Sequence, residues 1–187
     1  MMHLITGGSG SGKSAYAESQ VLAAGPGRRI YIATMIPYGE EGRQRVERHR
    51  ALRREKQFET VECYTGLAEL SLKDKITQTT AEGAAFSSSS KDTMVLLECM
   101  SNLVANEVFE PDGAQERTVE AVCEGIRRLR RQTRHLFIVT NEIFSDGITY
   151  DPETMRYLSY LGAVNQRLAG MADAVTEVVY GIPVRLK

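Results

Sequence analysis

The chain has 187 residues, 42% of them apolar and 25% charged, with a formal net charge of -1. That balance fits one globular α/β core and supplies no global basic field, so nucleic acid is not an expected partner. No run approaches the roughly 18 apolar residues of a membrane span, and Cys63, Cys99 and Cys123 are widely spaced thiols with no C-x-x-C pair, as expected of a reducing compartment.

The first apolar run, His3-Leu4-Ile5-Thr6, leads directly into Gly7-Gly8-Ser9-Gly10-Ser11-Gly12-Lys13-Ser14, a full match to G-x-x-x-x-G-K-[ST]. Glycines let such a loop turn tightly enough to aim backbone N–H groups at phosphate oxygens, with the positive end of the following helix behind them. Lys13 is expected to reach the β- and γ-phosphates and the Ser14 hydroxyl to hold Mg2+. The segment before Gly7 is too short for a secretory signal, so the cytoplasm is the expected compartment. A dinucleotide fingerprint can be forced onto Gly10 to Ala15, but that site wants an acid about 20 residues on. This chain reads Thr34-Met35-Ile36 there.

A second strand is expected over 29–34. Residues 40–56 then form a stretch that is polar nearly all round, with seven bases against four acids. Helical spacing puts Arg45, His49 and Arg53 on one face. Guanidinium neighbours disfavour an imidazolium, so His49 is expected to stay neutral near pH 7 and to keep a nucleophilic lone pair. On spacing alone, a solvated charged helix with an incidental histidine is the simpler reading. His3 and His135, at strand beginnings, read as structural.

Residues 79–92 are small and polar, with consecutive serines, and read as a surface loop inserted in a single domain spanning 1–187. The next strand, expected over 94–99, ends in Val95-Leu96-Leu97-Glu98. Glu98 therefore falls at the carboxyl end of a buried strand, where open parallel sheets collect ligands and where a phosphate loop needs an acid for its metal. An amphipathic helix follows over 115–134, apolar at Val119, Val122, Ile126 and Leu129, with a basic end at Arg127, Arg128, Arg130 and Arg131 that reads as solvated. Strands are expected over 136–141 and 175–180. The tail after Gly181 suggests a terminal hairpin with one antiparallel edge strand. The alternation of strands and helices points to a mainly parallel sheet flanked by helices. A regulatory GTPase is disfavoured, since no D-x-x-G follows Glu98 and no N-K-x-D occurs.

Gly7 to Ser14, Tyr31-Ile32-Ala33-Thr34, Arg45-Val46-x-x-His49, Leu96-Leu97-Glu98-Cys99, Val139-Thr140-Asn141-Glu142 and Val164-Asn165-Gln166-Arg167-Leu168-Ala169 together resemble one family. It is the bifunctional adenosylcobinamide kinase / adenosylcobinamide-phosphate guanylyltransferase of cobalamin synthesis, and the blocks run collinearly over nearly the whole chain. The resemblance implies a P-loop NTPase of RecA-like fold and a homotrimer. It also implies two reactions: phosphorylation of adenosylcobinamide by ATP or GTP, then transfer of GMP from GTP through a guanylyl-histidine to give adenosylcobinamide-GDP. The family's guanylylated histidine falls on His49, which reverses the simpler reading of that helix. Its nucleotide contacts fall on the loop Gly7, Gly8, Ser9, Gly10, Ser11, Gly12, Lys13 and Ser14, and on Thr34, Arg50, Arg53, Glu62 and Glu98. Lys13 joins His49 as a catalytic residue, with Ser14 and Glu98 toward the metal. Where many members carry Phe-Arg-Asp, this chain has Tyr157-Leu158-Ser159. The alternatives are a small-molecule kinase without nucleotidyl transfer and a non-catalytic nucleotide-binding module.

Overall fold

A computed structural model describes residues 1–37, 39–40, 44, 56–73 and 92–187. The strands are β1 (Met2–Thr6), β2 (Arg28–Ala33), β3 (Phe58–Glu62), β4 (Thr93–Glu98), β5 (His135–Val139), β6 (Ala174–Val179) and β7 (Ile182–Arg185); the helices are α1 (Lys13–Ala23), α2 (Met100–Phe109), α3 (Thr118–Arg131) and α4 (Pro152–Met171). They build one sheet in the order β3-β2-β4-β5-β1-β6-β7. Every pairing is parallel except β6 with β7, the terminal hairpin.

The central strands read as continuous apolar runs because both faces of the sheet are covered. Side chains alternate between faces. Met2, Leu4, Ile30, Ile32, Val95, Leu97, Leu136 and Ile138 pack with α2, α3 and α4. Ile5, Tyr31, Met94, Leu96, Phe137 and Val139 pack with Ala17 and Val21 of α1 on the other face. Together these faces bury most of the apolar area of β1, β2, β4 and β5, at roughly 25 cal/mol per Å².

The expected strands are each present, shifted by about one residue, and the terminal hairpin is in place. β3 escaped the sequence reading. Only Phe58 and Val61 of its residues are buried, as suits an edge strand, and so short an alternation gives little periodic signal. The helix expected over 115–134 begins with a single 3-10 turn at Gln115–Arg117, and its α-helical part runs Thr118–Arg131 with Val119, Val122, Ile126 and Leu129 buried as expected. Its basic end is paired: Arg127, Arg128 and Arg131 meet Glu124, and Arg130 meets Asp173. These pairs are exposed, so each contributes little to stability. His3 is buried with Nε2 2.8 Å from Thr176 Oγ1; burial, and then Arg185, lower its pKa and keep it neutral. Cys63 and Cys123 are buried, and Cys99 is half-buried at the end of β4. Among the described residues no helix is long and apolar enough to cross a membrane. Of the polar stretch only residues 40, 44 and 56 are described, and of the serine-rich loop only Asp92.

Candidate nucleotide site

The loop after β1 is shaped by close contacts on both sides. A Cβ on Gly7 would lie 2.5 Å from the Val178 carbonyl oxygen of β6 and 2.6 Å from Ser11 Oγ, so only glycine fits without displacing backbone. The Gly7 carbonyl accepts the Glu142 N–H at 3.1 Å, and the Ser11 carbonyl accepts the Gly181 N–H at 2.8 Å. The loop is thus held by the segment after β5 and by the hairpin turn between β6 and β7. Gly12, with φ 89°, takes the position ahead of α1 without any side-chain cap, and the first turn of α1 carries no acidic residue. No carboxylate of the helix itself competes for the leading N–H groups of α1, and the helix end attracts an anion.

Lys13 is only 8% exposed, and its ammonium donates to the Gly8 carbonyl at 3.0 Å. That bond spans the loop from inside and places a cation at its centre. Ser11 Oγ is buried with no partner among the described residues, so a polar atom inside the loop has bonding capacity left over.

Ser14, in the first turn of α1, donates its hydroxyl to Glu98 Oε1. Glu98 ends β4, and its other oxygen accepts the Tyr31 phenol at 3.2 Å. Tyr31 pairs with Leu96 in the β2–β4 register, and Glu98 shares a face with Leu96 two residues on, so the phenol reaches the carboxylate diagonally across neighbouring strands. Thr34 follows β2, beside Glu98: its N–H donates to the Glu98 carbonyl at 3.3 Å, and its hydroxyl donates to the Cys99 carbonyl while accepting the Cys99 N–H, both at 2.8 Å. Asn106 of α2, buried, donates to the carbonyls of Thr34 and Tyr64 at 2.8 and 2.9 Å. The carboxyl ends of β2, β3 and β4 are thereby tied to the start of the helical layer.

Next to Glu98, Cys99 Sγ lies 3.0 Å from Ser101 Oγ, which also accepts the Asn141 amide at 2.7 Å. Thr140 donates its hydroxyl to Asn165 of α4 at 2.8 Å, so the Thr140-Asn141 and Val164-Asn165 blocks meet in space. Tyr157 of α4 donates to the Ser101 carbonyl at 3.3 Å, and burial first, with Cys99 nearby, pushes its pKa up to about 12.

The structure therefore brings Gly7 to Ser14, Thr34 and Glu98 together. Glu62 stands at the same carboxyl edge, opposite Ala33 in the β2–β3 register, with β2 between it and β4. His49, Arg50 and Arg53 lie outside the described residues, as do Arg45 and Arg48. Sequence reasoning by itself missed the roles of Tyr31, Asn106 and the Tyr180-Gly181 turn. For Tyr31 the signal was available, since a phenol amid apolar strand residues needs a partner for its hydroxyl. Among the described residues no group of three or more His, Cys, Asp or Glu is placed to hold a metal without help from a ligand.

With this geometry in view, three comparisons bear on the chain. The sequence profile of the family described as cobinamide kinase / cobinamide phosphate guanyltransferase matches residues 3–186. The chain is 33% identical to the bifunctional adenosylcobalamin biosynthesis protein CobU of Escherichia coli and 31% identical to that of Salmonella typhimurium, covering 100% of both chains in each case. It is 30% identical to the bifunctional adenosylcobalamin biosynthesis protein CobP of Pseudomonas aeruginosa, over 100% of this chain and 98% of the relative. Among solved structures, the flagellar accessory protein FlaH of Methanocaldococcus jannaschii is similar with a TM-score of 0.50 at 15% identity, covering 100% of this chain and 77% of that one. At that identity the likeness concerns the fold alone, a RecA-like P-loop sheet.

Proposed function

The chain belongs to the cobinamide kinase / cobinamide phosphate guanyltransferase family, and on that premise we propose that it phosphorylates adenosylcobinamide and then guanylylates the product, with Gly7 to Ser14 as the triphosphate site. The observation that carries the reading is the contact between the Ser14 hydroxyl and Glu98 at the mouth of a loop whose helix end is free of acidic residues.

In the first reaction the aminopropanol hydroxyl oxygen of adenosylcobinamide attacks the γ-phosphorus of ATP or GTP. The bond from that phosphorus to the β,γ-bridging oxygen breaks, the hydroxyl proton leaves, and a nucleoside diphosphate departs. Loop N–H groups and Lys13 hold the charge that accumulates on the phosphate oxygens, Lys13 exchanging the Gly8 carbonyl for phosphate. In the second reaction a neutral His49 nitrogen attacks the α-phosphorus of GTP and pyrophosphate leaves, with Arg50 and Arg53 giving cationic support. An oxygen of adenosylcobinamide phosphate then attacks the same phosphorus, the P–N bond breaks, and the imidazole is restored. Thr34 and Glu62 contact the nucleotide. A carboxylate such as Glu62 suits N–H or O–H donors on base or ribose, because phosphate would repel it.

The donor set fits Mg2+. Ser14 and Glu98 are hard oxygen donors already in contact, and Mg2+ takes one or two protein oxygens alongside waters and phosphate oxygens. When bound, it would neutralise charge on the β- and γ-oxygens. We further propose a single domain acting as a cytoplasmic homotrimer, which light scattering of the purified protein tests.

The chemical test is incubation with GTP labelled at the α-phosphorus. Wild type should acquire acid-labile, alkali-stable label, and His49→Ala should acquire none. Kinase turnover without any label in wild type would leave the simpler small-molecule kinase standing.

A further inference from the structure

The segment between β5 and α4 leaves the sheet beside the phosphate loop, where the Glu142 N–H donates to the Gly7 carbonyl at 3.1 Å. From there on the usual order of an exposed loop is inverted. Its carboxylates bond to the segment itself: Glu142 accepts the Phe144 N–H at 3.0 Å and the Ser145 hydroxyl at 2.8 Å, Asp146 accepts the Ile148 N–H at 3.0 Å, and Asp151 accepts the Glu153 and Thr154 N–H groups at 3.0 and 3.1 Å. Its large apolar side chains are the exposed ones. Phe144 is 43% exposed, Ile148 59%, and Met155, in the first turn of α4, 44%. Single exposed apolar residues are ordinary, whereas a group of them on one bonded segment marks a binding surface. The Phe144 ring is also held in place, since a Cβ on Gly162 of α4 would lie 3.7 Å from it.

The direction of attack selects the ligand for this surface. With Thr34 and Glu62 as nucleotide contacts, the nucleoside lies over the ends of β2 and β3, and β4 separates those strands from β5 and β1. The γ-phosphate is then the end of the triphosphate nearest β5 and β1. In-line displacement brings the acceptor oxygen in from the side away from the departing diphosphate, which is the β5 and β1 side. The second transfer needs the same approach. His49 displaces pyrophosphate from one side, so the substrate phosphate must attack opposite His49, from where pyrophosphate left. Charge agrees with this placement: residues 142–156 hold four acids against one base. That field repels a nucleotide and attracts adenosylcobinamide, a cation because cobalt(III) outweighs the corrin and adenosyl anions bound to it.

We propose that Phe144, Ile148 and Met155 form the acceptor subsite, an apolar shelf on which the methyl-rich rim of the corrin ring rests while the aminopropanol arm reaches the γ-phosphate. The inference rests on the two-step function proposed above. The three side chains are positioning residues for the acceptor, with no part in bond making.

Calorimetric binding of adenosylcobinamide and of GTP to the full-length protein, with kinase kinetics alongside, separates acceptor from donor recognition. Phe144→Ala and, separately, Ile148→Ser should each raise Kd and KM for adenosylcobinamide about 5- to 10-fold through lost apolar contact, with Kd for GTP unmoved. Ile148→Leu should keep wild-type affinity. Ile148→Lys should weaken adenosylcobinamide more than Ile148→Glu does, as a cationic ligand requires. Wild-type Kd for adenosylcobinamide in both Phe144→Ala and Ile148→Ser overturns the proposal. Equal losses of GTP and adenosylcobinamide affinity overturn it as well, because the segment would then act through the phosphate loop. A change in subunit number with adenosylcobinamide affinity intact would make the shelf a subunit contact and overturns it too. A wild type that binds GTP but neither binds nor phosphorylates adenosylcobinamide would instead sink the two-step function, and the shelf with it.

Discussion

Glu107 of α2 is 2% exposed, and both its oxygens accept backbone N–H groups at 2.8 Å, one from Gly66 and one from Ala114. It clamps the segment after β3 and the turn after α2 onto the helix that also carries Asn106, the donor to the Thr34 and Tyr64 carbonyls. Glu107→Gln keeps the shape but offers one carbonyl for two N–H groups and turns an amide N–H2 toward the other. One bond to a charged acceptor is lost and one backbone N–H is left facing a donor, a cost of about 1.5–3 kcal/mol. For a domain of this size each kcal/mol lowers the thermal midpoint by about 2–4 °C, so a drop of roughly 3 to 12 °C is expected. Melts followed by circular dichroism, with urea titrations at 25 °C as a second readout, measure it. Kinase turnover well below the melt should stay near wild type, because no Glu107 atom belongs to the nucleotide site. A midpoint shift below about 1 °C would refute the clamp and show that the two segments are held by other contacts.

Gly7→Ala sets a Cβ 2.5 Å from a β6 backbone oxygen, so β6 or the loop must move; a loss of about 1–3 kcal/mol and weaker GTP binding are expected by urea titration and calorimetry, and wild-type values in both would contradict the tight fit. Tyr157, pushed up to about 12 from 10.0, is held neutral in the fold. Its contribution is complete below the unfolded pKa near 10 and is lost as pH rises through about 12. The urea midpoint should fall over that alkaline window in wild type and fall less in Tyr157→Phe, and identical profiles would contradict the assignment. Glu98→Gln removes the carboxylate oxygen facing Ser14 and should raise the Mg2+ concentration needed for half-maximal kinase activity by about tenfold or more; an unaltered Mg2+ requirement would take Glu98 out of the metal site.

The phosphate loop and the strand bearing Glu98 were legible because each is a local pattern: a glycine-rich run after an apolar one, and an acid closing a buried strand. The sheet was legible because strands covered on both faces have to read as continuous apolar runs. β3 was not, since an edge strand with only Phe58 and Val61 buried carries too short a pattern. Tyr31, Asn106 and Glu107 act between residues that strand order alone makes neighbours, and order cannot be read from propensity. The Tyr180-Gly181 turn escaped notice for a related reason: a hairpin was expected there, but its contact with the loop exists only because β6 lies next to β1. The basic end of α3 reads in sequence as a solvated face, and its exposed pairs with Glu124 and Asp173 agree with that. The assignment of His49 came from family resemblance, because spacing alone favoured an incidental histidine.

The central claim is that one chain performs two transfers in order, with Lys13 serving the phosphates and His49 carrying GMP. Mass spectrometry of the corrinoid products formed from adenosylcobinamide with ATP, GTP and Mg2+ tests it most directly. Wild type should yield adenosylcobinamide phosphate and then adenosylcobinamide-GDP, His49→Ala should stop at the phosphate, and Lys13→Ala should leave the alcohol unphosphorylated. Adenosylcobinamide-GDP formed by His49→Ala at the wild-type rate would contradict the account.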